Sequence, residues 1–233
     1  MGGSMNSVDL VHASDFDYSC DSGLKVRRSV QGNEPDILTH IYLEESNIVI
    51  WQRELSEKLR NSVDVFLESH TTFQASMTVT PKSALSSVRK FIGDTTKHEL
   101  SENIAELVDM FCCLFELKRT GLRLTVLDRA MCPKFHVDKV PCRLVTTYRG
   151  VASEWLPHQT VNREKLGSGS NGKPDNASGL YKNQHNIQQL GCGDVAVLKG
   201  ELWEGNENAG LVHRSPTVPT DKRRLLLTLD FSH

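Results

Sequence analysis

The sequence predicts an α+β fold, with helices and strands mixed in its first half and an all-β second half. Two observations carry this: a long amphipathic stretch ends near residue 121, and short β-branched runs separated by Gly, Pro, Asn and Asp clusters follow it. With 233 residues, 38% of them hydrophobic and 24% charged, the chain can bury one sizeable core, so a single domain is the expectation.

Residues 1–35 read as a polar N-terminal arm with one short apolar piece, Leu24 to Val30. Within it, Met1 to Ser4 ahead of Met5 reads as a cloning scar. Residues 36–121 read as an α/β elaboration. Asn47 to Trp51 (NIVIW) has the β-branched density of a buried strand, and Ser56 opens a helical pattern with Leu59, Val63, Phe66 and Leu67 on one face. Phe73 to Val79 reads as a strand and Ala84 to Ile92 as a helix. The longest helix is expected from an N-cap at Ser101, with Ile104, Leu107, Val108, Phe111, Leu114 and Phe115 as its apolar stripe and Gly121 as its end. Such a stripe is expected to pack on a sheet. Residues 122–233 then supply the strands LRLTVL, CRLVTTY, DVAVL and RRLLLTLDF. A mobile insertion over 160–185, containing Gly167 to Gly179 (GSGSNGKPDNASG), interrupts them and reads equally as a lid or a plain surface loop.

A formal charge of −2 gives no global reason to expect nucleic acid or an anionic membrane as partner. No apolar run approaches the roughly 20 residues that span a bilayer, and a cytoplasmic protein is expected. Six irregularly spaced cysteines, with Cys112 and Cys113 adjacent in an apolar stretch, favour reduced thiols over a disulfide scaffold. Phosphate loops, nucleophile elbows and dinucleotide fingerprints are missing from the sequence.

The chemistry-bearing pattern is Phe135-His136-Val137-Asp138. One residue separates the polar pair, so an extended backbone turns both side chains to one face, where they can share an ion. With nine histidines and 14 aspartates in the chain, about half of one His-x-Asp is expected by accident, so context decides. Here the pair lies between two strands, and His213 in GLVHRSP precedes the last strand. Together His136, Asp138 and His213 make a two-histidine, one-carboxylate donor set that leaves coordination positions open for substrate and dioxygen. Ten and eleven residues after His213, Arg223 and Arg224 open the terminal apolar strand.

The order strand, His-x-Asp, strand, loop, strand, His and Arg on the final strand resembles the Fe(II)/2-oxoglutarate dioxygenase superfamily. The resemblance covers roughly Leu122 to Phe231, most clearly in HRSPTVPTDKRRLLLTLDF. It implies a C-terminal double-stranded β-helix, of jelly-roll or cupin-like shape, braced by the N-terminal helices. The strings CPKFHVD, EWLP, LKGELW and GLVHRSP more closely resemble a bacterial family known as a domain of unknown function, DUF1826, which names no reaction. The superfamily resemblance implies Fe(II) on His136, Asp138 and His213, with 2-oxoglutarate as co-substrate held through its distal carboxylate by Arg224. A guanidinium forks onto a carboxylate bidentately, which suits arginine to that role. Arg223 points to the other strand face. Tyr148, inward-facing if the strand alternates from Leu144, would offer its hydroxyl to the same carboxylate. Many superfamily members carry Ser or Thr two residues after that arginine, where this chain has Leu226. The implied reaction converts 2-oxoglutarate to succinate and CO₂ and oxidises a C–H bond of a substrate, small molecule or peptide, that the sequence does not identify.

A competing reading is a non-oxidative, cupin-like metal-binding protein for metal handling or sensing. Cys132 and Cys142 lie four residues outside the His-x-Asp pair on either side, and thiolate with imidazole favours Zn(II). Cys192, between two glycines, reads as a turn residue. His158 and His185 at the ends of the insertion, and Asn162 and Arg163 within it, read as substrate contacts or as solvated loop residues. Lys199 and Trp203 flank a strand near the distal histidine, Trp203 as core or as lining of the mouth. A third reading is an oxygenase that uses no 2-oxo acid and keeps Arg224 for structure alone.

Overall fold

A computed structural model describes residues 25–93 and 98–232. The first residues of the expected arm, including the expected cloning scar at 1–4, lie outside the described residues. The described part of the arm is not featureless: strand β1 (Arg28–Gly32) pairs in parallel with β2 (Ser46–Trp51), joined to it through a 3-10 helix over Pro35–Tyr42. The sequence pattern of β1 is weak because an edge strand is held by backbone pairing to one neighbour rather than by two buried faces.

Helix α1 (Glu57–Ser69) starts where Ser56 accepts a hydrogen bond from the Leu59 amide at 3.2 Å, satisfying one of the orphan donors of the first turn. Strand β3 (Phe73–Val79) leads into α2 (Pro81–Ile92), closed by a capping box between Thr80 and Ser83. Helix α3 runs from His98 to Leu114, which corrects both expected ends. Ser101 lies inside the helix and is buried, not at its cap. The C-terminus closes at Glu116, which takes the left-handed conformation (φ 52°), so that the Leu117 amide reaches back to the Cys112 carbonyl at 2.8 Å and the Glu116 amide to Cys113 at 3.3 Å. Gly121 is free for another task and sits in strand β4 (Thr120–Leu127). A left-handed glutamate leaves no compositional mark, so the nearest glycine was the misleading signal.

The remaining strands are β5 (Cys142–Arg149), β6 (Glu154–Leu156), β7 (Gln188–Gln189), β8 (Val195–Lys199), β9 (Val212–Arg214) and β10 (Arg224–Phe231). Among the described residues they form a large sheet in the order β1-β2-β8-β5-β10-β4-β3 and a small sheet in the order β7-β6-β9. Residue 136 extends the small sheet: His136 and His213 form an antiparallel bridge with both N–H···O bonds at 3.0 Å. In chain order the strands from β4 to β10, with the bridge at residue 136, pass back and forth between the two sheets, β6 and β7 falling consecutively in the small one, which is a jelly roll. Because β2 and β3 flank these strands in one continuous sheet, the boundary expected at residue 121 is crossed by the backbone ladder.

Alternation along the strands separates two cores. Leu144, Val195, Val197, Leu225, Leu227 and Leu229 face the helices and share a cluster with Ile104, Leu107 and Phe111 of α3. Each such buried side chain contributes roughly 1.5–3 kcal/mol of transfer free energy. Val145, Ala196, Leu198 and Leu226 face the interior between the sheets, with Trp155 of the small sheet. The segment expected as a loose insertion is built of short helical turns, and it is pinned where the Asn162 amide bonds the Leu180 carbonyl at 2.8 Å over the buried Leu180. Among the described residues, no helix is long and apolar enough to cross a membrane.

Candidate metal centre

The bridge between residues 136 and 213 fixes the two imidazoles side by side, with ring centroids 4.6 Å apart. Phe135, buried beneath them, donates its amide to Asp175 Oδ2 at 2.9 Å and lies under the guanidinium of Arg214, which is itself paired to Glu154 at 2.6 Å. Asp138 turns back towards the rings. Its Oδ2 lies 3.3 Å from His213 Nε2 and its Oδ1 lies 3.7 Å from His136 Nε2. One donor atom from each of the three residues falls within 4.8 Å of the others.

The hydrogen bonds around this group suit it to a cation. His136 Nδ1 lies 2.9 Å from the Lys134 carbonyl and His213 Nδ1 lies 3.2 Å from the Leu211 carbonyl. A carbonyl only accepts, so each ring donates from Nδ1, which leaves Nε2, the nitrogen nearer Asp138, as the atom free to exchange a proton for a metal ion. Burial and the neighbouring His213 push the His136 pKa down, favouring the neutral ring that ligates. For Asp138, burial works against ionisation, but the hydrogen bond with His213 and the charge of Arg143 hold its carboxyl well below the usual range. A carboxylate beside two imidazoles matches the donor chemistry of a facial divalent-metal site.

Arg143 is the neighbour that sequence reasoning missed. It donates from Nη1 to Asp138 Oδ2 at 2.6 Å and from Nε and Nη2 to the two oxygens of Asp230 at 2.7 and 3.0 Å. This fork orients the carboxylate that the histidines face. The signal was present in the alternation of β5, where Arg143 shares the interior face with Val145 and Thr147. Arg143→Gln is expected to weaken divalent-metal binding by about 10–100-fold with little loss of fold, the usual scale for a supporting partner of a metal ligand; titration of the apo protein with Mn(II) checks it.

Arg224 lies on the same interior face, 1% exposed. Its guanidinium meets only hydroxyls: Ser153 Oγ at 2.7 Å, Thr147 Oγ1 at 3.1 Å and Ser215 Oγ at 3.4 Å. Among the described residues no carboxylate pairs with it. Burial pushes its pKa down to about 10, which still leaves it charged at neutral pH. Ser153 and Ser215, two of the hydroxyls that meet Arg224, line one cavity with His136, His213 and Arg143. Leu226, where a hydroxyl residue was looked for, lines that cavity as well, and the hydroxyls around the arginine come from other strands.

Gly150 makes the approach of β10 to β5 possible. It has φ +90°, and an added Cβ would lie 2.6 Å from the Arg223 carbonyl oxygen and 3.1 Å from Arg224 Cα. Gly150→Ala is therefore expected to destabilise the protein by roughly 1–3 kcal/mol, seen as a lower urea midpoint.

Several expected residues lie elsewhere. Tyr148 is on the helix-facing side of β5: the alternation from Leu144 is correct, but that face looks away from the metal cluster. Its hydroxyl donates to Asn103 Oδ1 of α3 at 2.9 Å, so it is not available to a ligand in the cavity. Tyr148→Phe should cost about 1 kcal/mol of stability and leave ligand binding in the interior unchanged, a comparison that thermal unfolding and titration make together. Cys142 shares that face, bonded to the Leu198 carbonyl at 3.1 Å, with its thiol pushed up by burial. Cys132 lines the cavity but is not part of the donor cluster. Neither thiol supports the zinc reading. Arg223 points away as expected, donating to the His70 carbonyl at 3.1 Å. Lys199 is buried on the helix side, bonded to the Leu43 carbonyl at 3.0 Å and 4.9 Å over Trp203, whose ring packs with Tyr42 and Phe115 rather than lining the mouth. His185 is exposed, while His158, Asn162 and Arg163 border a separate cleft.

Fold and donor set together define a jelly-roll protein with two imidazoles, one carboxylate and a buried arginine in its interior. The chain belongs to the family described as Protein of unknown function (DUF1826), whose sequence profile matches residues 32–230. No curated protein matches its sequence. Solved structures similar to it include enzymes described as dioxygenases, hydroxylases and oxygenases. The rice dioxygenase for auxin oxidation aligns at TM-score 0.50 and 9% identity, over 88% of this chain and 82% of that one. A Pseudomonas putida prolyl-4-hydroxylase aligns at TM-score 0.46 and 9% identity, over 84% and 97%. An oxidoreductase of the 2OG-Fe(II) oxygenase family from Burkholderia pseudomallei aligns at 0.44 and 11%, over 88% and 96%. Shared fold with the rice enzyme is what identity at this level establishes.

Proposed function

We propose that this protein is a non-haem Fe(II)/2-oxoglutarate-dependent oxygenase of the hydroxylase type, with His136, Asp138 and His213 as metal ligands and Arg224 as the anchor for the co-substrate's distal carboxylate. The observation that carries this reading is Arg224. A buried guanidinium satisfied only by hydroxyls is costly unless an anion joins it, and its hydroxyl partners line the cavity that the imidazoles face. Metal binding alone gives no reason to retain such a charge, so the non-oxidative alternative leaves it unexplained.

Bound Fe(II), with 2-oxoglutarate and dioxygen, supplies an oxidant able to functionalise a C–H bond while the 2-oxo acid becomes succinate and CO₂. The protein's own part is placement. His136 and His213 offer Nε2 because their Nδ1 protons are committed to backbone carbonyls. Arg143 holds Asp138 in a fixed rotamer. Thr147, Ser153 and Ser215 hold the Arg224 fork in place before any ligand arrives, so little ordering cost remains on binding. Leu198, Leu226 and Val145 give the cavity an apolar wall that limits water near the reacting centre. Aerobic protein loaded with Fe(II) is expected to consume 2-oxoglutarate and release succinate, and Asp138→Ala to abolish this; succinate formation equal in both proteins would refute the assignment.

A further inference from the structure

A second cleft, sharing no residue with the metal cavity, lies between residues 25–28, the 158–164 connection and residues 207–208. Its volume is about 870 Å³, within the usual range for small-molecule sites. Three arginines border it, of which Arg28 is exposed while Arg27 is buried and Arg163 half-buried. Arg27 is 4% exposed, and its guanidinium meets only neutral acceptors: Asn206 Oδ1 at 2.7 Å, the Val26 carbonyl at 2.8 Å and the Gly205 carbonyl at 3.1 Å. Arg163 lies 3.2 Å from His158 Nδ1 and also donates to the Gly210 carbonyl, while its buried Nε has no partner among the described residues.

Like charges this close repel, and their effect is visible on their neighbours. Burial, then Arg163, then Arg27 push the His158 pKa down to about 4, so the imidazole accepts from Arg163 and adds no charge. Burial lowers the pKa of Arg163 against the charge of Glu201, and Arg27 lowers it further. The acids of the cleft do not neutralise the pair: Glu207 is taken by Lys25 at 2.9 Å, and Glu164 is exposed and makes no ion pair among the described residues. Guanidinium donors left over in a concave, partly desolvated site call for an oxyanion, which can accept from several N–H groups at once and cancel the repulsion.

We propose that this cleft binds a small anionic ligand through a phosphate or carboxylate group held by Arg163 and Arg27. The cleft is many times the size of the anionic group alone, so the rest of the ligand would lie along Val161, Asn162 and Gln159. A concave site of this size on a chain of net charge −2 suits a small molecule better than nucleic acid.

The test uses the full chain, with inorganic phosphate and succinate as separate probes against chloride at matched ionic strength, read by calorimetric titration. Saturable binding of at least one probe is expected in the wild type and in Arg224→Met, which separates this site from the interior one. Which probe binds distinguishes the two chemistries. Arg163→Gln should weaken binding by about 10–100-fold, the loss of hydrogen bonds to a charged group, while still binding Mn(II) at the metal cluster as proof of folding. Arg163→Lys, which keeps the charge but not the fork, should weaken it less. Absence of saturable binding in the wild type, or equal binding in wild type and Arg163→Gln, would overturn the proposal.

Discussion

Replacing Arg224 with Met is expected to raise the stability of the ligand-free protein while weakening 2-oxoglutarate binding by two to three orders of magnitude. Both effects follow from one observation. The guanidinium is 1% exposed and meets hydroxyls but no carboxylate among the described residues, so the apo protein carries the desolvation cost of a charge without its compensation. Met is of similar length, has no charge and fills the space flexibly. It leaves Thr147, Ser153 and Ser215 without their donor, but hydroxyl groups can rotate to new partners, and two of the three border the cavity. On binding, the balance reverses. Truncating one side of a buried, hydrogen-bonded charge pair costs about 2–5 kcal/mol, or roughly 30-fold to several thousand-fold in affinity. A raised Tm of the apo variant together with lost 2-oxoglutarate binding is thus the expected pair of results. A purely structural Arg224, as in an oxygenase that needs no 2-oxo acid, predicts the opposite: a lowered Tm and no change in ligand affinity.

His213→Ala is expected to abolish stoichiometric Fe(II) binding while leaving the fold intact. The pairing of residue 213 with residue 136 is made by backbone atoms on both sides, so it survives loss of the ring. Asp138 keeps its bond from Arg143 at 2.6 Å and stays ionised. Two protein donors remain, one of them a carboxylate already committed to Arg143, too few to hold a labile divalent ion against water and buffer. Metal analysis after desalting, beside far-UV circular dichroism, separates loss of the site from loss of structure.

These expectations show how much of the molecule is readable in the chain. The strands Asn47 to Trp51, Phe73 to Val79 and those of the C-terminal half follow from β-branched density, and the structure has strands there. Local periodicity reports burial directly, so these were the accessible features. His136, Asp138 and His213 come together because one-residue spacing on an extended chain and a late return strand are both visible in sequence. Tyr148 was misplaced for a physical reason: alternation says which residues share a face, not which face looks at the site. Leu144 and Tyr148 do share a face, and it belongs to the helices. The alternation of β5 could have placed Arg143 on the interior face, but its pairing with Asp230, and the roles of Ser153 and Ser215, arise between segments distant in sequence, which no local pattern encodes. The hold that residues 160–185 have on the site was hidden for a related reason. Their Gly, Ser and Asn content describes turns, but Asp175 among them bonds the Phe135 amide at 2.9 Å and helps hold the strand that carries His136.

Anaerobic addition of 2-oxoglutarate to the Fe(II)-loaded protein measures the central claim most directly, because it reports the metal, the co-substrate and their contact in one signal. The account predicts a weak visible charge-transfer band that saturates with 2-oxoglutarate in the wild type, persists in Tyr148→Phe, and requires far more ligand in Arg224→Met. A fully metallated wild-type protein that develops no band at any 2-oxoglutarate concentration would contradict it.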